Sequence, residues 1–137
     1  MMNDLTKAGL AILLALILLT FLVPILWPHS PYGQYSERIF KPPSASHWFG
    51  TDEAGRDLFA RVSIAIGISL AVGTLSILIG GAIGIPFGTV SAFSGGSPDI
   101  FMQRAVDIFM SFPLLIMGIM IIASVGSGFW PLVLAIG

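Results

Sequence analysis

Leu10–Leu26 reads LAILLALILLTFLVPIL, and this stretch decides the fold class. It contains no charge, and apolar and polar residues do not alternate along it, so it is not a strand of a transmembrane barrel. Uncharged sequence continues around it from residue 8 to residue 36. About 20 apolar residues carry a helix across the roughly 30 Å hydrocarbon layer. Residues 62–98 and 108–137 are likewise free of charge and long enough to span. In lipid every backbone N–H and C=O must be bonded within the protein, so such runs become helices. The chain is therefore expected to be all-α, a polytopic membrane protein with three complete spans and the start of a fourth.

Charge is correspondingly scarce, at 9% of residues against about 25% in soluble domains. It falls in clusters: Asp4 and Lys7; Glu37, Arg38 and Lys41; the block HWFGTDEAGRDLFAR from His47 to Arg61; and Asp99, Arg104 and Asp107. These clusters mark the parts of the chain that must stay wet. A net charge of −1 without any basic stretch leaves no electrostatic footprint for nucleic acid. The absence of cysteine removes disulfides, thiolate metal sites and thiol nucleophiles. No ionisable residue lies inside an apolar run, which speaks against a proton-coupled carrier. Neither a G-x-x-x-x-G-K-[ST] phosphate loop nor a G-x-S-x-G elbow occurs, so the chain is not expected to be an enzyme. His29 and His47 both fall in a loop without matching carboxylate spacing and read as solvated. No catalytic, cofactor-binding or metal-binding residue is expected.

Three segments follow. Residues 1–27 form an N-terminal anchor helix, starting near a Thr6 cap and ending after Pro24, with Trp27 at the membrane interface. Lys7 and the apolar run resemble the start of a signal peptide. The run is longer than the usual 7–15 or so residues and no A-x-A-like site follows, so the anchor reads as uncleaved. Residues 28–61 are a Pro-rich loop leading into a helix start, with Thr51 as N-cap and Asp52 and Glu53 in the first turn. Asp52–Arg56 and Asp57–Arg61 would then be i,i+4 pairs. Residues 62–137 hold the second span (Ile64–Phe93), a break at Ser94–Pro98, a helix restarting at Ser97 and Pro98, and a third span (Ile108–Ala123) with Pro113 near its start. After a turn at Gly126–Gly128, FWPLVLAIG begins a further apolar helix of about 13 Å, so the sequence reads as a fragment. On the second span, Gly73, Gly80, Gly84 and Gly88 extend a stripe of small residues begun by Ala65 and Ser69. Such a stripe lets helix backbones pack closely.

The block Gly50-Thr51-Asp52-Glu53-Ala54-Gly55-Arg56-Asp57 does not stand alone. It is followed by a Gly-rich span, then FSGGSPDIFMQRAVDIFMSFP, then VGSG. In that order these motifs resemble the dipeptide/oligopeptide/nickel class of ABC-transporter permease subunits, over about 90 residues from His47 to Gly137, and the preceding anchor and loop also look like that family's N-terminal region. Asp99, Arg104, Asp107, Phe112 and Pro113 match that family's acidic, basic and F-P positions after Gly95-Gly96, while Met102 stands one place early.

The resemblance implies a subunit of an ATP-driven, binding-protein-dependent importer in the cell inner membrane. It would line part of a pathway with a second permease subunit, driven by cytoplasmic ATPase subunits and fed by an extracytoplasmic solute-binding protein. Di- or oligopeptides are implied ahead of nickel on family frequency alone. Gly50, Thr51, Asp52, Gly55, Arg56 and Asp57 would belong to the outer face, making 28–61 extracytoplasmic. Gly95, Gly96, Asp99, Arg104, Asp107 and Pro113 would belong to the cytoplasmic connection. The family's coupling helix, with its E-A-A pattern, would lie beyond Gly137. A cytoplasmic N-terminus follows from the family topology and not from charge, because Arg38, Lys41, Arg56 and Arg61 then lie outside, against the positive-inside rule. The alternative is a small self-contained oligomeric membrane protein, a pore or structural subunit, packing through the Gly80/Gly84/Gly88 face. A weaker one is an anchor whose 28–61 loop binds a partner without transport.

Overall fold

A computed structural model describes residues 3–137. Among the described residues five α-helices follow one another: α1 (Asp4–Leu26), α2 (Leu58–Ser94), α3 (Gly96–Met110), α4 (Leu114–Val125) and α5 (Phe129–Ile136). A single 3-10 turn, Ser36–Arg38, interrupts the α1–α2 loop. No strand is present among the described residues, only an isolated antiparallel bridge between Thr51 and Asp57. The expected all-α membrane fold is what forms.

α1 and α2, of 23 and 37 residues, reach about 35 and 55 Å at 1.5 Å per residue. Both are long and apolar enough to cross a bilayer. α2 exceeds the hydrocarbon thickness, so part of it stands outside the lipid core or tilts. Their apolar side chains are mostly bare: Ile12, Phe21, Ile77, Ile83 and Ile85 are all more than 60% exposed. In water so much open apolar surface would aggregate, but hydrocarbon satisfies it.

Four expectations about helix limits need correction. α1 begins at Asp4, with Asn3 at the cap position, so Thr6 lies inside the helix. α2 begins at Leu58, not at Thr51. The helix after the break restarts at Gly96 with Gly95 at the cap position, so Ser97 and Pro98 lie inside α3. The third span is not one straight helix from Ile108, because α3 and α4 meet at an 80° bend across Ser111–Pro113. Pro113 supplies no N–H and disfavours helical backbone at Phe112, so the chain turns there. Counted as one span, the bent pair gives a third crossing.

The chain divides between Leu70 and Ala71 into two compact units. In the first, α1 lies close against the opening turns of α2. The Thr20 hydroxyl is 3.2 Å from the Ser63 carbonyl, and a Cβ on Gly67 would stand only 2.4 Å from Thr20 Cγ2. In the second, α5 packs on α2 through fully buried Val133, whose carbonyl accepts the Ser76 hydroxyl at 3.0 Å. Each hydroxyl donates a hydrogen bond to a backbone carbonyl, which lets a polar side chain sit between apolar helices.

Candidate functional site

The loop before α2 folds into a polar knot, and the eight-residue block is its centre. Gly50 and Gly55 both take left-handed backbone, with φ of +73° and +71°. A Cβ on Gly50 would stand 2.5 Å from the Lys41 carbonyl oxygen, and one on Gly55 would stand 1.9 Å from that of Tyr35. Only glycine meets both demands, the dihedral and the close approach. These two residues also prevent the helix from starting at Thr51. The Asp52 side chain secures the turn, accepting the N–H of Ala54 and of Arg56, each at 2.9 Å, as Asx turns do.

Thr51, expected as a helix cap, instead ties strands of loop together. Its hydroxyl donates to the Arg38 carbonyl and accepts the Lys41 N–H at 2.9 Å. Backbone bonds run alongside: Tyr35 N–H to Ala54 O at 3.2 Å, Phe40 N–H to Asp52 O at 3.2 Å, and Thr51 N–H to Lys41 O at 3.1 Å. The Pro-rich loop is thus stitched to the block.

Of the two expected ion pairs, Asp52–Arg56 forms, at 2.8 Å. Asp57–Arg61 does not, because the Arg61 guanidinium also turns to Asp52. Burial alone would raise the Asp52 carboxyl. The Arg56 and Ala54 N–H groups, with the Arg56 side chain, outweigh it and bring its pKa from 3.8 down to about 2.

Asp57 is the residue the sequence undervalued. It is 3% exposed, and three donors converge on it: His47 Nδ1 at 2.7 Å, Trp27 Nε1 at 3.2 Å and the Ala60 N–H at 2.8 Å. The last bond caps α2, so Asp57 performs the role expected of Thr51. His47 is accordingly not solvated but buried, with the half-buried His29 ring 4.4 Å from its own. Trp27, Trp48 and Phe59 close over this region at centroid separations of 4.7–5.0 Å. Nothing in local spacing announced the His47–Asp57 or Trp27–Asp57 contacts. Among the described residues no group of three His, Cys, Asp or Glu is placed to hold a metal ion. No side-chain nucleophile is paired with a base in the knot, whose arrangement holds shape and offers charge.

A second polar cluster lies in the Ala71–Gly137 unit, where α2 gives way to α3. Gly95 and Gly96 have φ of +58° and +59° and reverse the chain. The Ser91 hydroxyl donates across the reversal to Asp99, which also accepts Gln103 Nε2 at 2.8 Å. Arg104 and Asp107 face each other at 3.6 Å and are well exposed. Pro113 caps α4. Along α2, a Cβ on Gly73, Gly84 or Gly88 would meet nothing within 4 Å, while one on Gly80 would come 2.8 Å from the Gly137 oxygen. The tightest helix approach falls instead on Gly67, outside the glycine stripe that spacing singled out.

A polytopic helical membrane protein with a loop knot at the head of its longest helix is the class defined so far. Residues 1–43 match the family model described as the N-terminal TM domain of oligopeptide transport permease C. The dipeptide transport system permease protein DppC of Bacillus subtilis (strain 168) is 40% identical over 98% of this chain and 42% of its own length. The probable D,D-dipeptide transport system permease protein DdpC of Escherichia coli (strain K12) is 36% identical over 98% of this chain and 45% of its own. The oligopeptide transport system permease protein OppC of Bacillus subtilis (strain 168) is 34% identical over 97% and 44%. The chain thus corresponds to the N-terminal portion of permease subunits of the ABC peptide class, and it spans less than half the length of these relatives.

Proposed function

We propose that this chain forms part of the translocation pathway of an ATP-driven, binding-protein-dependent importer of di- or oligopeptides. The observation that carries the reading is the 40% identity to a dipeptide permease along nearly the whole chain. The block Gly50–Asp57, in which Gly50, Gly55, Asp52 and Asp57 all serve one folded knot, is consistent with it. The knot is the outer face, where a solute-binding protein docks, and the α2–α3 reversal with Asp99, Arg104 and Asp107 is the cytoplasmic connection. ATP hydrolysis belongs to a separate subunit. This chain contributes shape, and its pathway opens alternately to the two sides as helices rock about their joints. The open Gly73, Gly84 and Gly88 positions on α2 suit close approach by a helix of a second permease subunit.

Uptake of a labelled dipeptide tests the reading. Cells whose gene carries Asp57→Ala should lose uptake while keeping the protein in the membrane; undiminished uptake, or uptake that never depended on the gene, refutes it. Orientation has its own test, since the chain has no cysteine. Ser44→Cys should react with an impermeant thiol reagent on intact cells and Ser97→Cys should not; the reverse pattern overturns a cytoplasmic N-terminus.

A further inference from the structure

Between the knot and α2 lies a groove of about 310 Å³ in which charge meets oil. Arg56 and Arg61 stand at its polar end, and Ile64, Ala65 and Ile68 form its floor. Arg61, Ile64, Ala65 and Ile68 recur at i, i+3, i+4 and i+7, so they share one face of α2. Tyr32 stands at the rim, 75% exposed, and Ile68 is half exposed.

Two features say what fits. First, both guanidinium groups bond the same oxygen of Asp52, Oδ2, while the other, Oδ1, takes the Ala54 and Arg56 N–H groups. One carboxylate against two guanidinium groups leaves a positive charge beside the groove, with further N–H donors to spare. Second, Arg61 is the last charge before the uncharged run 62–98, so the helix enters hydrocarbon directly below it. A tyrosine and an arginine at that depth lie at the level of lipid headgroups.

We propose that this groove binds one anionic phospholipid. Its phosphate takes charge-assisted hydrogen bonds from Arg61 and Arg56, its glycerol region lies by Tyr32, and an acyl chain runs down Ile64, Ala65 and Ile68. A free phosphate would leave the apolar floor unmatched, and a zwitterionic lipid would bring a cation against the guanidinium pair. The inference requires only that α2 crosses the membrane and stands apart from the peptide-import reading.

The test is native mass spectrometry of the chain purified in mild detergent from its own membrane, with phosphatidylglycerol or phosphatidylcholine added. At roughly five-fold per surface cation, phosphatidylglycerol should be retained about five-fold or more over phosphatidylcholine. Arg61→Gln should bring that preference below about two-fold. Ala65→Trp, which fills the floor and leaves the Asp52 pairs untouched, should lower retention of phosphatidylglycerol even if Arg61→Gln fails to fold. Lys41→Gln, a cation outside the groove, should change nothing. Equal retention of both lipids overturns the proposal, as does full retention in Ala65→Trp. Displacement of the lipid by millimolar inorganic phosphate or by a free dipeptide also overturns it, marking a phosphate or peptide site instead.

Discussion

Gly55→Ala isolates the geometric claim about the knot. The substitution adds one methyl group at a position where φ is +71° and the Tyr35 carbonyl oxygen would lie 1.9 Å from the new carbon. Left-handed backbone costs an alanine about 1–2 kcal/mol. The clash is with backbone and no rotamer relieves it, so the Tyr35 segment has to move away. That movement breaks the Tyr35 N–H bond to Ala54 O and strains the Arg38 N–H bond to Tyr35 O, each contributing about 1 kcal/mol. The total is about 3–4 kcal/mol. For a folding unit of this size each kcal/mol shifts the midpoint by roughly 4–8 °C, so a loss of more than about 10 °C is expected. Tryptophan emission during heating in detergent reads it, since Trp27 and Trp48 lie 4.7 Å apart over the knot. Gly73→Ala is the control: nothing lies within 4 Å of its added carbon, and alanine is favoured over glycine within a helix by roughly 0.5–1 kcal/mol. If Gly55→Ala melts within about 2 °C of the parent, the close approach to Tyr35 is wrong.

Three more outcomes follow from the same contacts. Asp57→Ala strips His47, Trp27 and the Ala60 N–H of their shared acceptor. At about 1–3 kcal/mol for a buried donor left unpaired, it should destabilise the knot by roughly 3 kcal/mol and expose the loop to protease. Asp52 has a folded pKa of about 2, below its ordinary 3.8, so its contribution is complete above about pH 4 and is lost as pH falls through about 2. The tryptophan signal should therefore hold down to about pH 4 and change below it, and Asp52→Asn should abolish that dependence. Gly67→Leu, placed where even a Cβ would stand 2.4 Å from Thr20 Cγ2, should part α1 from α2. Crosslinking of the pair in contact there, Thr20→Cys with Ser63→Cys, should then be slower than with Gly67 in place.

The helices were legible because lipid leaves little choice: an uncharged run bounded by ionic residues becomes a span, and α1 and α2 do so. The break at Gly95–Gly96 was legible in part, since Gly, Ser and Pro crowd there and Asp99 falls in the first turn that follows, but the helix restarts at Gly96 and not at Ser97. The knot was not. Thr51, Asp52, Glu53, Arg56 and Asp57 satisfy the pattern of a capped, salt-bridged helix as well as that of an Asx turn. What selects the turn is the backbone of Tyr35 and Lys41, 20 and 9 positions before the glycines that meet them. His47 and Trp27 likewise gain meaning only through Asp57, 10 and 30 positions on. Contacts at such separation leave no periodicity to read. The bend at Pro113 was half legible: the proline is visible, but nothing in the local sequence sets the 80° between α3 and α4.

The two ends of α2 are built for different tasks. Its first turns are held from several sides at once, by the Asp57 cap, by the Thr20 hydroxyl against Ser63, and by the bare Gly67 surface that admits α1. Movement there would strand several buried polar groups together, so that end behaves as a fixed point. At the other end two left-handed glycines carry the chain into α3, and no added Cβ at either would meet a neighbour. What restrains that joint is chiefly one hydroxyl–carboxylate bond, Ser91 to Asp99. A part-buried hydrogen bond to a carboxylate contributes about 1.5–3 kcal/mol, less than the several bonds that fix the other end together. A helix anchored at its head and jointed at its tail suits the alternately opening pathway proposed above, and both properties follow from where glycine and aspartate stand.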